Sequence, residues 1–162
     1  MSTLPIKTWL NALAVISFLA LMTYLLHEDQ KVKTSHPPAI KGTKTFISQD
    51  ELGNFITWGK IGDITSSMLI DTGASTLVLS EKLARKIGLS GKKRIKVATA
   101  NGMTEGYLTV IKNIQIGNLK GENIEAIVVP NLGVPHVLVG MSFLETLNFE
   151  KKGSQLILQP GS

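Results

Sequence analysis

Two apolar runs, Met68-Leu69-Ile70 and Thr76-Leu77-Val78-Leu79, flank the polar stretch Asp71-Thr72-Gly73-Ala74-Ser75. Strand-forming residues on both sides draw the intervening carboxylate towards a core. Burial raises the pKa of such a group and costs several kcal/mol if it stays charged and unpaired. Gly73 permits a tight turn, and the small Ala74 lets a second backbone approach. An ordinary Asp-Thr-Gly forms an Asx turn, in which the aspartate bonds nearby amides. Hydrophobic flanks on both sides weaken that plain reading here. They make Asp71 the first candidate for chemistry.

The N-terminus has a different character. From Thr8 to Leu26 there is no charged residue, and the run Trp9 to Leu26 is 18 residues long. As a helix it spans about 27 Å, close to the hydrocarbon thickness of a bilayer. Trp9 and Tyr24 lie near its ends, where amphipathic rings settle. We read residues 1–26 as an uncleaved membrane anchor, a single transmembrane helix. A cleaved signal peptide and a buried core helix are the other readings. The sequence His27-Glu28-Asp29 lacks a small-residue cleavage pattern. Lysines flank both sides of the run, so charge alone leaves the orientation open. Residues 27–44 include His36-Pro37-Pro38 and scattered Lys, with almost no large apolar side chain. This composition reads as a flexible stalk, with His27 and His36 as solvated spectators.

Charge divides along the same boundary. Residues 1–44 hold five Lys and two acids, a net +3, while residues 45–162 hold twelve basic and ten acidic residues, a net +2. A nearly balanced domain does not point to nucleic acid, and the basic turn Gly91-Lys92-Lys93-Arg94 has no aromatic interleaving. The chain has no Cys, which removes disulfides, Cys-ligated metals and a thiol nucleophile. Gly-x-Ser-x-Gly, His-Glu-x-x-His and phosphate-loop patterns are also missing. His136, after Pro135, reads as a loop residue.

Residues 45–162 read as one mostly-β domain. Phe55–Ile61 and Ile64–Ile70 are strands joined at Gly62-Asp63. Thr76–Leu79 is another strand. Ser80 caps a short helix through Ile87, with Glu81 in the first turn, Arg85 and Lys86 in the last, and Gly88 as the stop. Arg94–Ala100 and Met103–Ile111 flank Asn101-Gly102, a strong hairpin signal. Further strands are expected at 114–116, 124–129, 137–139 and 156–158. Ser142 and Glu145 read as a capping box that opens a second helix running to Asn148. Trp58-Gly59-Lys60-Ile61-Gly62 and Ile116-Gly117-Asn118-Leu119-Lys120-Gly121 echo one another, which points to two similar halves.

Asp71-Thr72-Gly73-Ala74-Ser75, with strands on both sides, resembles the active-site loop of aspartic proteases. The second signature of that clan, two apolar residues and a Gly, stands at Leu138-Val139-Gly140, beginning 67 positions after Asp71. The pair, at this spacing, resembles the retropepsin-like (retroviral-type) aspartic proteases. With the N-terminal anchor and Gly140-Met141-Ser142-Phe143-Leu144, the chain is similar to a bacterial membrane-anchored branch of them. The resemblance implies an all-β fold, a closed retropepsin-like barrel with one or two short helices. It also implies a homodimer in which Asp71 of each copy forms a catalytic dyad on a peptide or protein substrate. No cofactor and no metal are expected. Thr72 would lock the two loops across the two-fold axis, and Gly73 would present backbone to the substrate. Ala74 matches the small residue of the retroviral type, which leaves one hydroxyl fewer on the carboxylates. Thr99, Ala100, Asn101, Gly102 and Met103 fall where the family has its flap. Ser75 and Met141 depart from the pattern, which commonly has an Asp and an Arg there. A catalytically silent dimeric module that binds an extended peptide is the competing reading. By the same resemblance the domain is expected in the periplasm, held to a bacterial inner membrane.

Overall fold

The computed structural model describes residues 36–91, 93–99, 102–130, 132 and 137–161. Residues 34–162 form one compact unit. The expected anchor at 1–26 and the first part of the expected stalk lie outside the described residues. Among the described residues no helix is long and apolar enough to cross a membrane.

The elements in chain order are β1 (Ala39–Lys41), β2 (Lys44–Ser48), β3 (Ile56–Ile61), β4 (Ile64–Ile70), β5 (Leu77–Ser80), α1 (Glu81–Lys86), β6 (Lys93–Thr99), β7 (Gly102–Ile116), β8 (Leu119–Val129), β9 (Val137–Val139), α2 (Met141–Leu144), β10 (Leu147–Lys152) and β11 (Gln155–Pro160). Strands β3, β4, β9, β5, β8 and β7 are neighbours in that order, and β7 pairs back onto β3, which closes a six-stranded barrel. The closing rungs are Gly59↔Ile116, Lys60↔Gln115 and Ile61↔Ile114. Closure leaves those six strands no free edge between them. β6 pairs only with β7 and projects from the ring as a hairpin. A second sheet, in the order β1-β2-β11-β10, gathers the two ends of the domain.

Period-two alternation fills the barrel. Ile61, Met68, Leu77, Leu79, Ile114, Ile116, Val128 and Val139 are buried, and Phe143 and Leu144 of α2 complete the core. The expected helix after β5 forms as read. Ser80 accepts a hydrogen bond from Leu83 N at 3.3 Å, and Arg85 pairs with Glu81 at 3.1 Å. An exposed pair of this kind is worth a few tenths of a kcal/mol, so the cap matters more.

Several boundaries differ from expectation. The strands read at 103–111 and 114–116 are one strand, β7. The apparent break arises because pairing with β8 skips the Lys112–Asn123 rung, where Asn123 takes φ +55°. Such an irregularity shifts the alternation by one residue and mimics a strand end. Strand β1 lies inside the segment read as stalk: Ala39 to Lys41 pair with β2, and the Thr57 hydroxyl donates to His36 O at 3.1 Å. All three β1 residues are exposed, so no alternation announces the strand. β10 occupies the end of the segment read as a second helix. Leu147 to Pro160 form a hairpin whose β10 strand is exposed after Leu147.

Candidate active site

β4 ends at Ile70, in parallel register with Val139 of β9. The Asp71 amide continues that ladder, donating to Val139 O at 3.0 Å. The chain then turns: Ala74 N donates to Asp71 O at 3.2 Å, and Gly73 N donates to the Asp71 carboxylate at 2.9 Å. The Asx turn therefore exists, and it orients the carboxylate. Asp71 is half-buried, where the flanking runs predicted desolvation in the core. The reason is positional. β4 delivers Ile70 to the core, and the turn carries Asp71 to the rim.

The apolar-apolar-Gly segment grips this loop from behind. Leu138 of β9 stands between Leu69 of β4 and Val78 of β5. Val139 is fully buried. Gly140 has no room for a side chain: a Cβ there would lie 2.4 Å from Thr76 O and 2.6 Å from Ala74 O. Met141 N donates to Ala74 O at 2.8 Å and Ser142 N to Ser75 O at 3.1 Å. Main-chain bonds thus join the two segments where the retroviral pattern has a charged pair. Ser75 is exposed and Met141 half-buried.

Ser142 has a different job from the one its sequence context implies. The N-cap of α2 is Gly140, with no side-chain cap bond, and the helix stops at Leu144. The Ser142 hydroxyl instead accepts from Leu77 N at 3.0 Å and donates to Glu125 O at 2.9 Å. It ties β5 to β8 directly behind the Asp71 loop. A capping-box motif reads the same in either role, so no sequence signal separates them.

Thr72 and Gly73 are exposed at the rim and Ala74 is half-buried. The β6–β7 hairpin carries the residues expected of a flap. Thr99 pairs with Gly102, and the Thr99 hydroxyl donates to Gly102 O at 2.8 Å. Gly102 therefore belongs to β7 and not to the turn where it was expected. Gly102 sits in β7 with φ +106°. Ala100 and Asn101 lie outside the described residues. Met103, beside the hairpin end, is 68% exposed.

A cavity of about 260 Å³ opens beside the carboxylate, lined by Gly53, Asn54, Phe55, Leu69, Ile70 and Asp71. Its outer wall, the loop before β3, carries no motif, and only the fold brings it to Asp71.

Comparison with known proteins agrees with this geometry. The chain matches the family described as gag-polyprotein putative aspartyl protease over residues 58–146, more than half of its length. It is similar in structure to a retropepsin-like aspartic protease from Rickettsia conorii, with a TM-score of 0.62 and 26% identity, covering 72% of this chain and 99% of that one. It is also 38% identical over 111 residues to an uncharacterized protein in the cobV 5' region of a Sinorhizobium species. That alignment takes in 66% of this chain and 48% of the relative, so the match spans about half of the relative's length. The barrel, the loop at Asp71 and the Gly140 segment behind it fall within or beside that shared stretch, and the chain belongs to the gag-polyprotein putative aspartyl protease family, with the retropepsin-like fold.

Proposed function

We propose that the chain is an aspartic endopeptidase that works as a homodimer, with Asp71 of each copy in one shared site. The observation that carries this reading is the Asp71 loop itself. Its carboxylate is oriented by Gly73 N at the barrel rim, and its backbone is braced by Val139 and Met141.

The chemistry needs two such carboxylates. Asp50 and Asp63 sit in turns, and Asp29 precedes the domain, so a second Asp71 must come from a second copy. Two carboxylates about 3 Å apart cannot both ionise, so the pair shares one proton. The ionised member removes a proton from a bound water, which attacks the scissile carbonyl. The protonated member donates to the carbonyl oxygen. The resulting intermediate collapses with a proton passed to the leaving amine, and the dyad returns to its starting state. Thr72, exposed at the rim, would meet its counterpart in the other copy. An extended peptide would lie between the two loops and the β6–β7 hairpin, whose closure would shield the reacting carbonyl from water.

The N-terminal run would anchor each copy in a bacterial inner membrane and raise the local concentration of partners. The domain would then stand in the periplasm. Alkaline phosphatase fused after Ser162 reports this: activity in intact cells supports export, and its absence overturns it.

The decisive experiment incubates the full chain with a peptide library, with and without a statine-type inhibitor. Inhibitor-sensitive cleavage whose rate falls more steeply than linearly on dilution supports a dimeric aspartic site. Peptides that bind but stay intact support the silent binding module instead.

A further inference from the structure

The loop between β2 and β3 forms the wall of the cavity at Asp71, and one carboxylate organises it. Asp50 accepts from Asn54 N at 2.7 Å, from Leu52 N at 2.9 Å and from the Asn54 carboxamide at 3.2 Å. Its own backbone adds two more bonds. Asp50 N donates to Asn54 O at 2.8 Å, and Gly53 N donates to Asp50 O at 3.1 Å. Gln49 braces the outside, donating from its side chain to Gly53 O at 2.8 Å. Beyond the loop, Phe55 O accepts from Ile70 N at 2.9 Å, the residue immediately before Asp71.

We propose that Asp50 is a positioning residue for the substrate cleft: its carboxylate fixes the Gly53–Phe55 wall of the cavity beside Asp71. This rests on the endopeptidase reading above. Three features argue for a role beyond an ordinary turn. Two of the three carboxylate bonds fall on Asn54, which lines the cavity, and the Asp50 and Gln49 bonds to Gly53 hold the lining residue beside it. The Asn54 carboxamide is held against Asp50, which sets the direction in which this cavity-lining residue points. Leu52 is 86% exposed, so its side chain adds little packing to the loop, and the carboxylate bonds to Leu52 N and Asn54 N hold its conformation. The protonation state fits the task. Partial desolvation raises the Asp50 pKa, but the bonds from Asn54, Leu52 and Gly53 outweigh it, and the carboxyl titrates below its ordinary range. Bonds to an ionised acceptor are the stronger kind, and a lowered pKa keeps them in place at mildly acidic pH.

The test compares Asp50→Ala and Asp50→Asn with the parent, all as full chains in detergent. With Asp50→Ala, KM for a cleaved peptide should rise by roughly fivefold or more while kcat stays within about twofold, because the wall and not the dyad is disturbed. Asp50→Asn keeps an oxygen for the Leu52 and Asn54 amides and should recover most of the loss. Hydrogen exchange on the same proteins should show the Leu52 and Asn54 amides protected in the parent and released in Asp50→Ala, with melting temperatures close together. An unchanged KM, a loss confined to kcat, or unchanged protection at Leu52 and Asn54 overturns the proposal. If the parent cuts no peptide, the endopeptidase reading fails separately. The affinity of a statine-containing peptide, weakened by Asp50→Ala or not, then decides whether Asp50 shapes the cleft.

Discussion

Two stretches of the domain are built alike and do different work. In the first, β3 and β4 form a hairpin through Gly62-Asp63, a loop follows, and β5 leads into α1. In the second, β7 and β8 form a hairpin through Gly117-Asn118, a loop follows, and β9 leads into α2. Both hairpins close with two-residue turns, Ile61↔Ile64 and Ile116↔Leu119, and both turns open with a glycine at positive φ, +55° and +60°. The halves also interlock. β4 of the first runs parallel to β9 of the second, and β8 of the second runs parallel to β5 of the first. They differ at the loop and at the helix start. The first loop carries Asp71, whereas no acid stands between Val129 and Val137 in the second. The first helix begins with a capping Ser80, the second with an uncapped Gly140. One half therefore presents the carboxylate while the other packs against its back. On the proposed endopeptidase reading, the second carboxylate would come from another copy.

Substitutions at the points of difference probe this division. Asp71→Asn should lower peptidase activity on the order of a thousandfold or more, because both members of the dyad change at once. Circular dichroism and sedimentation should remain those of the parent. Residual activity near the parental level would remove Asp71 from the chemistry. Gly140→Ala should be the most damaging change in the supporting half. Its methyl group meets the Thr76 and Ala74 carbonyls, which belong to the backbone and cannot swing aside. Overpacking of this kind costs about 1–3 kcal/mol, and here it should also displace the Asp71 loop, so activity should fall at temperatures where the fold persists. Parental stability and turnover would show that the grip is dispensable.

Ser142→Ala should come next. It leaves the amide of Leu77, a fully buried residue, without its acceptor, at a cost of about 1–3 kcal/mol in chemical denaturation. A capping role would predict instead a loss confined to α2, visible in amide exchange of that helix alone. Ser80→Ala should have the smallest effect, about 1 kcal/mol, because it removes only the cap bond to Leu83 N. Peptidase activity should be unaffected, since α1 does not touch the Asp71 loop through that bond. A Ser80→Ala effect as large as that of Ser142→Ala would erase the asymmetry between the two helix starts.

Much of the site was legible because its signals are local. Asp71 between two apolar runs and Leu138-Val139-Gly140 further along each stand out in a window of a few residues, and their order and spacing carried the family resemblance. The Gly62-Asp63 turn and the Ser80 cap are similarly short-range, since each depends on residues within three or four positions. The readings that failed depended on partners elsewhere in the chain. β1 has no apolar pattern and exists because β2 offers it a ladder. The Lys112–Asn123 irregularity disguised one long strand as two. Ser142 was legible as a cap and serves as a cross-strand tie, because its partners lie 65 and 17 residues away.

Sequence alone therefore determined the candidate residue Asp71, the strand-rich character of the domain and the presence of an apolar run ahead of it, since alternation, turn chemistry and hydropathy are written in neighbouring residues. Only the tertiary structure decided what surrounds Asp71: the closure of β7 onto β3, the absence of space at Gly140, and the Asp50-bound loop that walls the adjacent cavity. These depend on backbone segments brought together from distant parts of the chain, where steric fit and hydrogen-bond geometry act across space and leave no periodic trace in the order of the residues.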